Sequence, residues 1–179
     1  IHKKKLIGTI FFVIYAIIAI AVTVLLLSYN DYNCSELGNY TLYIVKDDSL
    51  EPNYKKGDLL IIDRNNLKNV EIGDSIFLYN VISSSEYSLV VDKVEGKIQQ
   101  GDTVLLSTEK NGVYSSVYYI GKENSAKAIS NLGNILSILE SKWGYLCCIV
   151  IVSLILLLEE IFELVIEIKY SKYETAKEK

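Results

Sequence analysis

Lys46-Asp47-Asp48-Ser49-Leu50-Glu51-Pro52-Asn53-Tyr54-Lys55-Lys56-Gly57-Asp58, followed by the apolar residues 59–62, is the stretch on which the fold turns. It holds the only proline of the chain. A serine stands among acids, a Glu-Pro pair marks a turn, and Gly-Asp closes the stretch before an apolar run. Glycine permits the sharp turn and aspartate can bond its own backbone, so Gly-Asp reads as an entry into a β-strand.

Outward from this stretch the middle of the chain reads as β. Residues 41–45, 59–63, 75–81, 87–94, 103–107 and 117–120 are short runs rich in Val, Ile, Leu and Tyr. Three of them follow a Gly-Asp pair: Gly57-Asp58, Gly73-Asp74 and Gly101-Asp102. The uneven spacing of the pairs excludes a solenoid repeat. Ser83-Ser84-Ser85 reads as a loop, and helical propensity returns over residues 129–142.

Two apolar runs flank this middle. Residues 6–27 are 22 residues without a charge. At 1.5 Å per residue they reach about 33 Å, enough for a hydrocarbon core of about 30 Å. His2 and Lys3, Lys4 and Lys5 precede them, which places that end in the cytoplasm. The run is longer than a usual signal-peptide core, and Ser28-Tyr29-Asn30-Asp31 is a poor cleavage site, so an uncleaved anchor is expected. The second run, residues 143–158, has 16 residues, with Trp143 and Tyr145 as interface anchors. Beyond it Glu159, Glu163 and Glu167 recur every four residues and make one polar stripe on a continuing helix. The chain therefore divides into a cytoplasmic N-terminus (1–5), a transmembrane helix (6–27), an extracytoplasmic β-domain (28–142), a second transmembrane helix (143–158) that continues as an amphipathic helix, and a cytoplasmic tail (159–179). Both termini are expected in the cytoplasm. The membrane is the cell membrane, or that of the endoplasmic reticulum in a eukaryote.

Charge and cysteine usage narrow the function classes. The net charge of -4 argues against a nucleic-acid partner, and residues 28–142 carry 16 acids against 11 bases. Cys34 has no partner outside the membrane, and Cys147-Cys148 lie within the second apolar run, so no disulfide framework is expected. Asn33 and Asn39 begin glycosylation sequons. No metal cluster, phosphate loop or nucleotide fingerprint is present; the acids near the Gly-Asp pairs are too dispersed for a calcium loop.

Several boxes in order resemble type I signal peptidases, in the branch of archaea, the endoplasmic reticulum and some spore-forming bacteria. Ser49-Leu50-Glu51-Pro52 and the following "GDLLII" are similar to that family's Ser-Met-Glu-Pro and Gly-Asp boxes. "VEIGDSIFLY" (70–79), "LVVDKVEG" (89–96), "LLSTEKNG" (105–112) and "VYYIGKE" (117–123) resemble its later strands and its Thr-Lys-Gly-Asp loop. The resemblance covers roughly residues 6–158 and implies a compact all-β signal-peptidase-like domain between two transmembrane helices. The activity it implies is that of a membrane-bound serine endopeptidase that removes signal peptides from exported preproteins. Partners would be those signal peptides, membrane lipid and the secretion translocon; no cofactor and no metal is implied.

Residue by residue, the resemblance implies Ser49 as nucleophile, with Leu50 and Pro52 on the substrate side. The remaining positions depart from the pattern. Asp92 stands at the usual His or Lys base position, with Lys93 beside it as the alternative base, and Asn111 stands at the usual Asp position. A free aspartate is a weak base at neutral pH; apolar neighbours and the acids at 47 and 48 would raise its pKa. Strand neighbours point to opposite faces, so Asp92 and Lys93 cannot both face the serine without a bulge. Three readings follow: an active signal peptidase, a non-catalytic paralogue that binds signal peptides or assists an active peptidase, and a membrane-anchored β scaffold or adhesion domain.

Overall fold

The computed structural model describes residues 2–64, 67–83 and 86–177. Ile1 of the expected N-terminus, Ser84 and Ser85 of the serine loop, and the last two residues of the tail lie outside the described residues. The chain divides into two compact units, Ile1–Ser137 and Ile138–Lys179.

The first unit opens with α1 (His2–Leu27). Within it Gly8–Leu27, 20 residues of mean hydropathy 3.1, is the one helix among the described residues long and apolar enough to cross a membrane. Among the described residues nine strands follow: β1 (Ser35–Leu37), β2 (Tyr40–Ile44), β3 (Leu59–Asp63), β4 (Ser75–Val81), β5 (Tyr87–Gln100), β6 (Thr103–Thr108), β7 (Gly112–Ser115), β8 (Tyr119–Lys122) and β9 (Lys127–Ile129). They form two antiparallel sheets, ordered β1-β2-β3-β9 and β7-β6-β5-β4-β8. Helix α2 (Leu132–Glu140) comes next. The second unit is a helical run in which α3 (Lys142–Tyr145), a π-helical segment (Leu146–Ile151) and α4 (Val152–Lys177) follow without a gap.

The mainly β architecture follows from two apolar clusters that share β4. Ile76, Phe77, Leu78 and Tyr79 are all buried, so this strand is apolar on both faces. Phe77 and Tyr79 join Leu60, Ile62, Leu89, Val45, Leu50 and Ile120 in the first cluster. Ile76 and Leu78 join Val70, Val94 and Leu106 in the second. β5 obeys the same alternation, with Leu89 and Val91 on the first side and Val90 and Val94 on the second. Gly121 of β8 allows the two sheets to touch, since a Cβ there would lie 2.3 Å from the Asp63 carbonyl oxygen of β3.

The Gly57-Asp58 and Gly73-Asp74 turns are built alike. Both glycines have positive φ (90° and 97°), a conformation only glycine adopts readily. In each, the aspartate carboxylate accepts from the amide three residues earlier, Lys55 at 3.0 Å and Glu71 at 2.8 Å. Each glycine amide then docks on a carbonyl of another segment, Gly57 on that of Val45 just past β2 and Gly73 on that of Val94 in the middle of β5. Gly101-Asp102 is a different device: it occupies the two-residue turn of the β5–β6 hairpin, where Gln100 pairs with Thr103.

Other sequence expectations shift at their edges. β5 does not stop at residue 94 but runs to Gln100, pairing with β4 in its first half and β6 in its second, with a register shift between Val94 and Gly96. The expected strand at 117–120 starts later, because Ser116–Tyr118 is a 3-10 turn capped by Ser115. β1, β7 and β9 were not legible as strands; each is three or four residues long and none is wholly apolar.

Candidate functional site

The loop between β2 and β3 is held at three points. Leu50 turns inward, is 6% exposed and packs into the first cluster. Tyr54 lies against Phe77, with ring centroids 5.8 Å apart, and its amide bonds the Leu50 carbonyl. Asn53 Nδ2 donates to Glu123 Oε1 at 2.9 Å. Leu50, expected on the substrate side, is thus a core residue that anchors the turn following it. Pro52 and Ser49 remain exposed.

Ser49 is turned toward its own chain. Its hydroxyl donates to Asp47 Oδ1 at 2.5 Å, and its amide donates to the same oxygen at 3.0 Å. This is the turn an aspartate makes with the residue two positions on. The two bonds from Ser49, the hydroxyl first, hold the Asp47 carboxyl below its ordinary range. Two consequences follow. The nearest base to Ser49 is weaker than a free aspartate. The Ser49 amide, a natural oxyanion donor, is already used by a carboxylate, which repels developing negative charge.

Asp92 lies on the other face of β5, with Val90 and Val94 of the second cluster, and is 3% exposed. Its carboxylate accepts from four nitrogen donors. The Lys93 amide lies at 2.8 Å, the Lys110 amide at 3.1 Å, the Asn111 amide at 2.9 Å and Asn111 Nδ2 at 2.8 Å. Burial pushes this carboxyl up, but the donors, led by the Lys93 amide, outweigh burial and hold it below its ordinary range. The expectation that its surroundings raise it is therefore corrected: the sequence showed the apolar neighbours but not the amides of the β6–β7 turn. The Glu109 amide donates to the Lys93 carbonyl, which fastens the same turn to β5.

Asp92 and Asn111 are thus brought together. Among the described residues, no hydrogen bond joins either of them, or Lys93, to Ser49. Lys93 is exposed and runs past Gly73, its Cε 3.9 Å from where a Cβ would stand. Asp47, expected beside Ser49 as an opposing charge, stands there: its spacing of two from Ser49 is the signature of a side-chain-to-backbone turn, and that turn binds the serine. Among the described residues no cluster of three or more His, Cys, Asp or Glu side chains is placed to hold a metal. Cys34 is buried, its thiol pushed up to about 12 by desolvation.

No protein-family model, curated protein or solved structure matches this chain.

Proposed function

We propose that this is a membrane-anchored protein of signal-peptidase-like architecture that binds the apolar segment of an exported preprotein without cutting it. The order of the boxes around Ser49, Gly73, Asp92, Asn111 and Gly121 supports the family reading. So does an apolar helix leading directly into a two-sheet β unit. The observation that carries the non-catalytic reading is the occupancy of the polar groups. Ser49 gives both its hydroxyl and its amide to Asp47, and the carboxylate at the base position is engaged by four donors. A general base needs a free lone pair aimed at the nucleophile and a pKa near the working pH; Asp92 supplies neither. A second crossing by residues 143–158, cytoplasmic termini and a neighbouring translocon belong to the same proposal. What supports the second crossing is a helical run whose side chains, Leu154, Ile155, Leu157 and Leu158 among them, are exposed.

One observation favours the active reading instead: Ser49 is exposed and its hydroxyl touches a carboxylate, a pairing able to take a proton. A photo-crosslinking signal peptide, presented to the full chain in proteoliposomes, separates the two. The expected product is an intact peptide crosslinked to the β unit, equally in wild type and Ser49→Ala. Labelling no stronger than that of a scrambled apolar peptide would remove the binding function. A truncated peptide formed only by wild type would establish the peptidase.

A further inference from the structure

We infer that the β unit is seated on the bilayer through an aromatic and aliphatic collar around the end of α1. The collar is formed by Tyr32, Tyr87 and Tyr118 with Val81 and Ile82, at and just past the end of β4, and is braced from beneath by the buried Tyr79; the occupant of this surface is the headgroup and upper acyl region of the lipid. The inference rests on α1 crossing the membrane and is independent of peptide binding.

The span leaves little slack: the uncharged run 6–27 reaches about 33 Å against a hydrocarbon core of about 30 Å. Gly8–Leu27 is 20 residues, which at 1.5 Å per residue is about 30 Å, the thickness of the hydrocarbon core. The β unit grips the helix before it ends. Ser35 of β1 is buried and its hydroxyl donates to the Leu25 carbonyl at 3.0 Å. The Glu36 amide donates to the Ser28 carbonyl and the Asn30 amide to that of Cys34. The domain is therefore not hung on a linker; its lowest strand lies level with the last turn of the span.

What surrounds that level is aromatic. Tyr32, five residues past the helix end, stacks on Tyr79 with centroids 4.2 Å apart. It meets the edges of Tyr87 at 5.1 Å and Tyr118 at 6.2 Å. Asn30 Nδ2 donates to the Tyr79 hydroxyl at 3.0 Å, which ties β4 to the helix exit. Tyr87 pairs with Val81 at the hairpin end, where Val81 is 46% and Ile82 57% exposed. Leu27 itself is 82% exposed. Tyrosine has an apolar body and a polar tip and gathers at membrane interfaces for that reason. Half-buried Tyr32, Tyr87 and Tyr118, the exposed Val81 and Ile82 and the helix exit gather at the depth where the bilayer begins.

Depth-dependent tryptophan quenching tests this in the full chain. Trp143 is replaced by Phe, and single reporters are placed at Ile82→Trp in the tip, Ile98→Trp on the far hairpin and Ile14→Trp within α1. Each is reconstituted into phosphatidylcholine vesicles with or without lipid brominated near the headgroup end of the chains. Ser83→Trp repeats the tip measurement should Ile82→Trp fail to fold. The expected result is that the tip reporter emits to the blue of Ile98→Trp and loses most of its intensity in brominated lipid, while Ile98→Trp is unaffected. A quenched Ile14→Trp with an unquenched tip overturns the collar alone. An unquenched Ile14→Trp overturns the membrane crossing and the collar with it.

Discussion

Asp92→Ala is expected to destabilise the β unit by about 3 kcal/mol, although the residue does no chemistry in this account. The substitution leaves the amides of Lys93, Lys110 and Asn111 facing a space that the carboxylate filled. Each stranded buried donor costs roughly 1–3 kcal/mol. For a chain of this size that lowers the thermal midpoint by about 6–12 °C, read from the β signal in circular dichroism. Asp92→Asn keeps one acceptor oxygen but turns an amide NH2 toward other donors, and is expected to restore less than half of the loss. The pH dependence follows from the direction of the pKa. The folded carboxyl lies below its ordinary 3.8. Its contribution is therefore complete above that value and is lost as pH falls through the depressed folded value. The gap between wild type and Asp92→Asn should stay constant above about pH 5 and shrink in more acidic solution. A midpoint for Asp92→Ala within about 2 °C of wild type, less than 1 kcal/mol, would show that the carboxylate does not pin the β6–β7 turn.

Phe77→Ala is the second large effect. Phe77 is fully buried at the centre of β4, and its ring supports Tyr54 in the Ser49 loop. Removing a buried phenyl ring costs about 3–5 kcal/mol in lost transfer energy and residual cavity. The loss also frees the loop, because Tyr54 and Leu50 pack into the same cluster. Trypsin reports this directly through Lys55 and Lys56. With 1.4 kcal/mol to each factor of ten, cleavage after these residues should accelerate by about a hundredfold or more. Tyr54→Phe keeps the ring and should leave the rate near that of wild type. Equal protease resistance in Phe77→Ala and wild type would mean that the loop is not held from below.

These two residues show how much of the molecule was legible in its sequence. The paired turns were, because Gly57 and Gly73 must adopt positive φ and Asp58 and Asp74 bond backward over a fixed spacing. Strands 59–63 and 75–81 were, because their apolar runs end at turn residues on both sides. The second half of β5 was not: Lys97, Gln99 and Gln100 are exposed there, so no apolar pattern marks the strand, and Gly96 reads as a breaker although it sits beside a register shift. The Ser49 loop was legible as a loop, but not in its inward and outward faces. Leu50 goes inward because the first cluster needs a cap, a tertiary demand that no local pattern records. Asp92 was legible as an anomaly at the base position. What satisfies it was hidden, since three of its donors are backbone amides, which every residue type but proline supplies.

The central claim is that Ser49 is held in a turn rather than poised for attack, and cleavage of a preprotein tests it most directly. The full chain in proteoliposomes is incubated for a day with a preprotein carrying a small-x-small cleavage site, and mature product is followed by mass spectrometry. Wild type, Ser49→Ala and Asp47→Ala are compared. No mature product above the protein-free background is expected from any of the three. Processing by wild type that disappears in Ser49→Ala would contradict it; processing that also disappears in Asp47→Ala would identify the carboxylate bonded to Ser49 as the base.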